Sequence, residues 1–213
     1  QKRNDYSLRI YVDKKGDLGE VSEQINQLLE YVETESKQDK QIQKQLEKNV
    51  ELDPLTGILN KKAIHEDLEV LVERANELDI EIAVGFVDVD NFRDFNTKYG
   101  HQVGDEVLKN VAKCLKKAIP GVVGRNGGDE FLFCMLIRRR DDNLDYVLKD
   151  FYKNLRKGVS CDPYGVLAVT CSVGVAHVKG GSLNVSQLEK IADEAMYVAK
   201  NQGKNNYHIK KEE

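Results

Sequence analysis

Gly127-Gly128-Asp129-Glu130-Phe131, set between Val122-Val123 and the apolar run from Phe131 to Ile137, reads as the turn of a β-hairpin. A Gly-Gly pair alone supplies the positive φ angles of a two-residue hairpin, so the two acids that follow need another reason to be there. They put carboxylates and positions without side chains at one tight bend, where a metal-bound phosphate can come close to the backbone. Upstream, Ile82-Ala83-Val84-Gly85-Phe86-Val87 is almost wholly apolar and predicts a strand over 81–88, central in its sheet and buried on both faces. It ends in Val87-Asp88-Val89-Asp90, and the strand period of two puts Asp88 and Asp90 on one face. If Asp88, Asp90, Asp129 and Glu130 lie close together, they repel and protonate unless a divalent cation neutralises them. Oxygen donors of this kind suit magnesium or manganese.

The rest of the chain arranges itself around these two segments. Helical spacing predicts helices near 60–78, over 104–118 with Pro120-Gly121 as the stop, from Leu144 to Leu155, and over 185–200 with Gly203 near the end. Residues 91–104 read as a polar stretch between strand and helix, 138–143 as a charged loop, 166–175 as one strand, and Tyr207-His208-Ile209 as an edge strand. Strands alternating with helices around an antiparallel hairpin give an α+β fold, an α/β sandwich. Ahead of it, residues 17–52 are rich in Glu, Gln and Lys, with Val21, Ile25, Leu28 and Val32 and then Ile42, Leu46 and Val50 at helical spacing. One long helix or two fit that pattern, and the stripe suits pairing with a second copy as a dimerising stalk. Asp53-Pro54 breaks it and marks a domain boundary.

The 213 residues carry a formal net charge of -4, and the 32 basic residues form no stripe interleaved with aromatics, which argues against nucleic acid as a partner. Cys114, Cys134, Cys161 and Cys171 form no CxxC pair and lie in or beside apolar sequence, so they read as reduced, structural thiols. No apolar run is long enough to span a bilayer, and the chain opens at Gln1 without a signal-like segment, as a piece of a longer protein would.

Arg93, Asn96, His101 and Asp105 fall in or just after the polar stretch that follows the buried strand. Asn and Asp together can read a guanine, the amide pairing with its acceptor edge and the carboxylate accepting from its ring NH and amino group. Lys200 and Lys204, four apart at the end of the last helix, share a face suited to a triphosphate.

At these residues the chain resembles the GGDEF-domain diguanylate cyclases, from Asp53 to about Ile209. The resemblance is carried by Asp53-Pro54-Leu55-Thr56-Gly57, Val87 to Phe92, Asn96 with Tyr99-Gly100-His101 and Gly104-Asp105, and Arg125 with Gly127 to Phe131. Ser172-Val173-Gly174 and Ala195-Met196-Tyr197 with Ala199-Lys200 complete it. It implies a five-stranded central sheet flanked by helices, like the palm of nucleotidyl cyclases and polymerases. It also implies condensation of two GTP into cyclic di-GMP plus two pyrophosphates by a homodimer with facing active sites. The roles implied are magnesium (or manganese, two ions per site) on Asp88, the Val89 carbonyl, Asp129 and Glu130, with Asp129 also accepting the 3'-hydroxyl proton. Arg93 would steady the transition state, Asn96 and Asp105 would bind guanine, and His101 would lie in the nucleotide pocket. Gly127 and Gly128 would admit the nucleotide, and Lys200 and Lys204 would hold the β- and γ-phosphates.

Three positions depart from the family pattern. Arg93 stands in place of the usual Lys, Thr97 in place of an Asp, and Asn126 where an apolar or aromatic residue is usual. The Arg-x-x-Asp product-inhibition motif would fall on Ala118 to Gly121, which holds neither charge, so no product-inhibition site is expected. Residues 1–35 resemble the second half of a HAMP signalling module, through Gly16 to Val21 and Ile25 to Leu28, and 36–52 would be a signalling helix ahead of a cyclase domain at 53–213. That places the chain on the cytoplasmic side of a bacterial inner membrane, tethered only through a missing upstream segment. The competing reading is a degenerate domain that binds GTP and regulates a partner protein.

Overall fold

The structure, a computed structural model, describes residues 17–48, 51–137, 143–181 and 184–212. The chain parts into two compact units between residues 50 and 51. Among its described residues the first is one uninterrupted helix, α1 (Asp17–Lys48), not two. Val21, Ile25 and Leu28 are exposed along it. Residues 1–16 of the HAMP-like segment, and residues 49–50 of the signalling helix, lie outside the described residues. No helix among the described residues is long and apolar enough to cross a membrane.

The second unit opens with Leu52 and Leu59 in a bridge and Leu59 laid parallel to Gly124. α2 (Lys61–Leu78) starts where the Asn60 side chain accepts a hydrogen bond from Ala63 N, and it buries Ile64, Leu68, Val72 and Ala75 along one stripe. β1 (Glu81–Val89) follows, then α3 (Phe92–Tyr99), α4 (His101–Ala118), β2 (Val122–Gly127) and β3 (Glu130–Ile137). After α5 (Leu144–Leu155), β4 (Val159–Cys161) and β5 (Gly165–Leu167) pair as a separate two-stranded sheet. β6 (Cys171–Lys179), α6 (Val185–Asn201) and β7 (Tyr207–Glu212) complete the chain. The main sheet runs β2-β3-β1-β6-β7, antiparallel except for the parallel β6–β7 pair. The expected five-stranded sheet flanked by helices is present, with β1 at its centre.

Alternation along the strands builds two apolar layers. Ala83, Val87, Val89, Phe131, Phe133, Met135, Val173 and Val175 pack toward α4 and α5. Ile82, Val84, Leu132, Cys134, Ala176 and Val178 pack toward α2 and α6. Strand parity therefore also decides which helices a polar residue at a strand end will face.

Two elements differ from expectation. Residues 91–104 are not an extended polar stretch but α3 and the first turn of α4, divided at Gly100 with φ +88. Phe92, Phe95 and Tyr99, at helical spacing, hold α3 down, with the Phe95 and Tyr99 rings 4.8 Å apart. The single strand over 166–175 is two strands in two sheets. Residues 168–170 carry the chain from β5 to β6, and Thr170 O accepts from Asp90 N at 2.9 Å.

All four thiols are free and buried, and burial raises that of Cys134 to about 12, which keeps it inert.

Candidate active site

The acids meet at one end of the sheet because register places them there. Asp88 and Glu130 are Cα partners in the β1–β3 ladder, and their parity puts both on the α2/α6 face. Asp129 sits in the turn between, its carbonyl accepting from Val89 N at 3.3 Å. Val89 closes β1 opposite Cys171. Gly127 (φ +134) and Gly128 (φ +54) adopt backbone that side chains disfavour, and a Cβ at either would meet nothing within 4 Å, so the turn is open to an approaching ligand.

α6 supplies the counter-charge. Gly174 of β6 lets it settle close, since a Cβ there would lie 1.9 Å from Met196 N. One turn on, Lys200 Nζ is 2.9 Å from Asp88 Oδ2. Burial raises the Asp88 carboxyl above its ordinary range; Lys200 opposes that, while Asp129 and Asp90 add to it. Lys204 lies beyond the helix with φ +63, and its Nζ donates to Asn91 Oδ1 at 2.5 Å. The two lysines thus reach the same sheet end, though not by sharing a helical face.

Asp90 does not join this group. Ser172 Oγ donates to its Oδ1 at 2.7 Å and Asn205 N to its Oδ2 at 3.0 Å, so it clasps β1, β6 and the loop before β7. Among the described residues, no three acidic, histidine or cysteine side chains stand close enough to ligate one ion as they are. The donor chemistry of Asp88, Asp129 and Glu130 nevertheless fits a hard divalent cation. Positive charge is already favoured beside Asp88, where the Lys200 ammonium lies.

Arg125 braces the turn from behind. Its Nε and Nη2 donate to Gly128 O at 3.0 and 2.7 Å, and its Nη1 lies 3.3 Å from both oxygens of Asp53. Burial alone would raise the Asp53 carboxyl, but hydrogen bonds from Thr56 N and Oγ1 and the Arg125 guanidinium outweigh it and hold the group below the usual carboxylate range. Both residues lie in stretches that carry the family resemblance, yet nothing in the sequence gives either a task. Asn126 Nδ2 donates to Glu130 Oε2 at 3.2 Å, and its Oδ1 lies 3.1 Å from His65 Nε2. His65 Nδ1 in turn is 2.9 Å from Glu189 Oε1 of α6. His65 and Glu189 carried no sequence signal at all.

The remaining candidates sit on α3 and α4. Arg93, His101 and Asp105 are exposed; Thr97 Oγ1 donates to Arg93 O at 3.0 Å. Asp105, with Glu106 and Lys109, lines a cleft of about 510 Å³ bordered by Ser160, Cys161 and Asp162. Asn96 differs from them: its Oδ1 is buried without a hydrogen-bond partner and packs where a Cβ on Gly104 would lie 1.9 Å away. A partnerless buried amide oxygen costs about 1–3 kcal/mol.

Comparison with known proteins bears on the whole arrangement. Residues 50–206 match the family model described as diguanylate cyclase, GGDEF domain. Over 199 residues the chain is 29% identical to diguanylate cyclase DgcP of Pseudomonas aeruginosa, covering 89% of this chain and 29% of that protein. It is 33% identical over 161 residues to an uncharacterized membrane protein of Staphylococcus epidermidis, covering 72% and 44% of the two. The chain spans less than half the length of these relatives. Among solved structures it is similar to the coiled coil and GGDEF domain of DgcB from Caulobacter crescentus in complex with c-di-GMP, with TM-score 0.70 and 25% identity over 87% of this chain and 99% of that one. Diguanylate cyclase SiaD in complex with its activator SiaC, from Pseudomonas aeruginosa, gives a TM-score of 0.69 and 29% identity over 92% and 76%.

Proposed function

The chain belongs to the GGDEF diguanylate cyclase family, and from that premise we propose that it condenses two GTP into cyclic di-GMP with release of two pyrophosphates. The observation that carries this is the pairing of Asp88 with Glu130 across the ladder, with Asp129 in the turn and the Lys200 ammonium beside them. Asp88, the Val89 carbonyl, Asp129 and Glu130 hold the divalent ions. Magnesium or manganese bound there would lower the pKa of the attacking 3'-hydroxyl and offset charge on the phosphoryl oxygens. Asp129 accepts the 3'-hydroxyl proton. Lys200 and Lys204, each now held by a neighbouring side chain, exchange those contacts for the β- and γ-phosphates. Asn96 and Asp105 read the guanine, Asn96 through its amide at the acceptor edge and Asp105 by accepting from the ring NH and amino group, and set GTP above ATP. His101 borders the nucleotide, and Arg93, exposed on the first turn of α3, reaches the transferring phosphate of the opposed active site or its own.

One subunit presents half of the reacting pair, so the active species is a homodimer, with the exposed Val21-Ile25-Leu28 stripe of α1 as the seam. The whole protein works as the cytoplasmic output of a membrane receptor, a reading supported by relatives described as membrane proteins. Feedback through an Arg-x-x-Asp site is absent, because Ala118 to Gly121 offers no charge.

Incubation with GTP and magnesium over a range of protein concentrations, with chromatographic separation of products, tests this. Cyclic di-GMP is expected, with specific activity rising with concentration, and Asp129→Ala is expected to reduce it about a thousandfold or more. Tight GTP binding with no product, even when α1 is artificially dimerised, would favour a nucleotide-sensing regulatory domain instead.

A further inference from the structure

Glu130 and Asp88 face each other across the ladder but are held by different chemistry. Asp88 has an ammonium 2.9 Å away. Glu130 has a neutral amide, Asn126 Nδ2, at 3.2 Å. An amide donor fixes the direction of a carboxylate without cancelling its charge, which leaves Glu130 the acid both aimed and free to take a cation.

The backbone explains why Asn126 is in that position. The β2–β3 register shifts between Arg125 and Gly127, so Asn126 is the extra residue of a bulge. Gly124, two residues earlier, faces α2, where a Cβ would lie 2.4 Å from Ile64 Cβ. Alternation sends Asn126 toward α2 as well, and His65, next after Ile64 on that helix, meets it. The amide orientation follows from the neighbours: Glu130 can only accept, so Nδ2 faces it and Oδ1 faces His65, whose Nε2 must then carry hydrogen. Behind His65 stands Glu189 Oε1, buried, reached by no aligned hydrogen bond among the described residues, and 2.9 Å from His65 Nδ1.

We propose that Asn126 is a positioning residue for Glu130, and that His65 fixes Asn126 in turn, so that a side-chain relay from α2 through the bulge of β2 sets the affinity of the acidic end for its divalent cation. The relay rests on the reading of Glu130 as a metal ligand. Groups that orient a ligand in this way usually change metal affinity by about 10- to 100-fold when removed.

The test is a titration of the full chain with Mn²⁺ in the presence of a non-hydrolysable GTP analogue, with free Mn²⁺ followed by electron paramagnetic resonance and thermal melts alongside. Asn126→Leu is expected to weaken Mn²⁺ binding about tenfold with little change in melting temperature. His65→Ala should weaken it less, and His65→Gln should restore it, because the terminal amide keeps a donor toward Asn126 Oδ1. The double variant Asn126→Leu/His65→Ala should bind no worse than Asn126→Leu alone, the sign of one pathway rather than two. If the parent chain binds Mn²⁺ and both Asn126→Leu and His65→Ala match it within about twofold, the relay is refuted while the metal reading stands. If the parent binds none with nucleotide present, the metal reading fails and takes the relay with it. His65→Ala, a change at a partly exposed helix position, serves alone should Asn126→Leu fail to fold.

Discussion

The acidic end of the sheet and the helical shoulder formed by α3 and α4 treat charge in opposite ways. At the sheet end, Asp88 is half-buried, its carboxyl is raised by that burial, and an ion pair from α6 only partly compensates. On the shoulder, Arg93, His101 and Asp105 all lie in solvent, and of these candidates Asn96 alone is partly buried, with its Oδ1 enclosed. The sheet end is organised in advance at a cost in stability; the shoulder, under the proposed function, would meet most of its cost on binding. That division would suit the proposed site, in which charge must be placed accurately while base recognition has only to be selective.

If the contrast is right, Asp88→Asn should remove cyclic di-GMP synthesis by about a thousandfold or more without lowering the melting temperature. A carboxyl raised in the folded state costs stability as pH rises through its folded value. The melting temperature of Asp88→Asn relative to the parent should therefore improve from mildly acid to neutral pH and show no gain well below the carboxylate range. A variant that melts lower at neutral pH would break the comparison. Gly104→Ala sharpens the other side of it. A Cβ 1.9 Å from Asn96 Oδ1 must displace that amide, so KM for GTP should rise about tenfold while the helix gains up to ~1 kcal/mol from the better residue. Steady-state kinetics with an unchanged KM would remove Asn96 from the site. The smallest effect belongs to the brace behind the turn. Asp53→Asn should cost about 1 kcal/mol at neutral pH. Because the Asp53 carboxyl is held low, that difference should persist above the ordinary carboxylate range and fade as pH falls through its folded value, as urea melts across pH would show.

Much of the sheet end was legible because it depends on local pattern. The apolar run from Ile82 to Val87 announces a central strand, and a period of two carries Asp88 to a definite face. The Gly127-Gly128 pair between two apolar runs located the hairpin. What escaped the sequence depends on pairs far apart in it. Arg125 and Asp53 are 72 residues apart and His65 and Asn126 are 61 apart, and no periodicity encodes such polar contacts. Asp90, grouped in the sequence with the other acids, is instead drawn off by Ser172 and the backbone of Asn205. α3 was hidden by its polar residues, although Phe92, Phe95 and Tyr99 mark its partly buried stripe. The break after β5 was masked by continuous apolar sequence, with Asp162-Pro163-Tyr164-Gly165 the sign of a turn just upstream.

The close seating of α6 over Gly174 has an evolutionary side. A single methyl at that position would push against Met196 N and lever the following turn, with Lys200 on it, away from Asp88. A descendant could keep every acid of the signature turn and still drift into a pseudoenzyme through one glycine on the neighbouring strand. Spelling of the signature is therefore an incomplete certificate of catalysis, and residue 174 belongs beside it when competence is judged by inheritance.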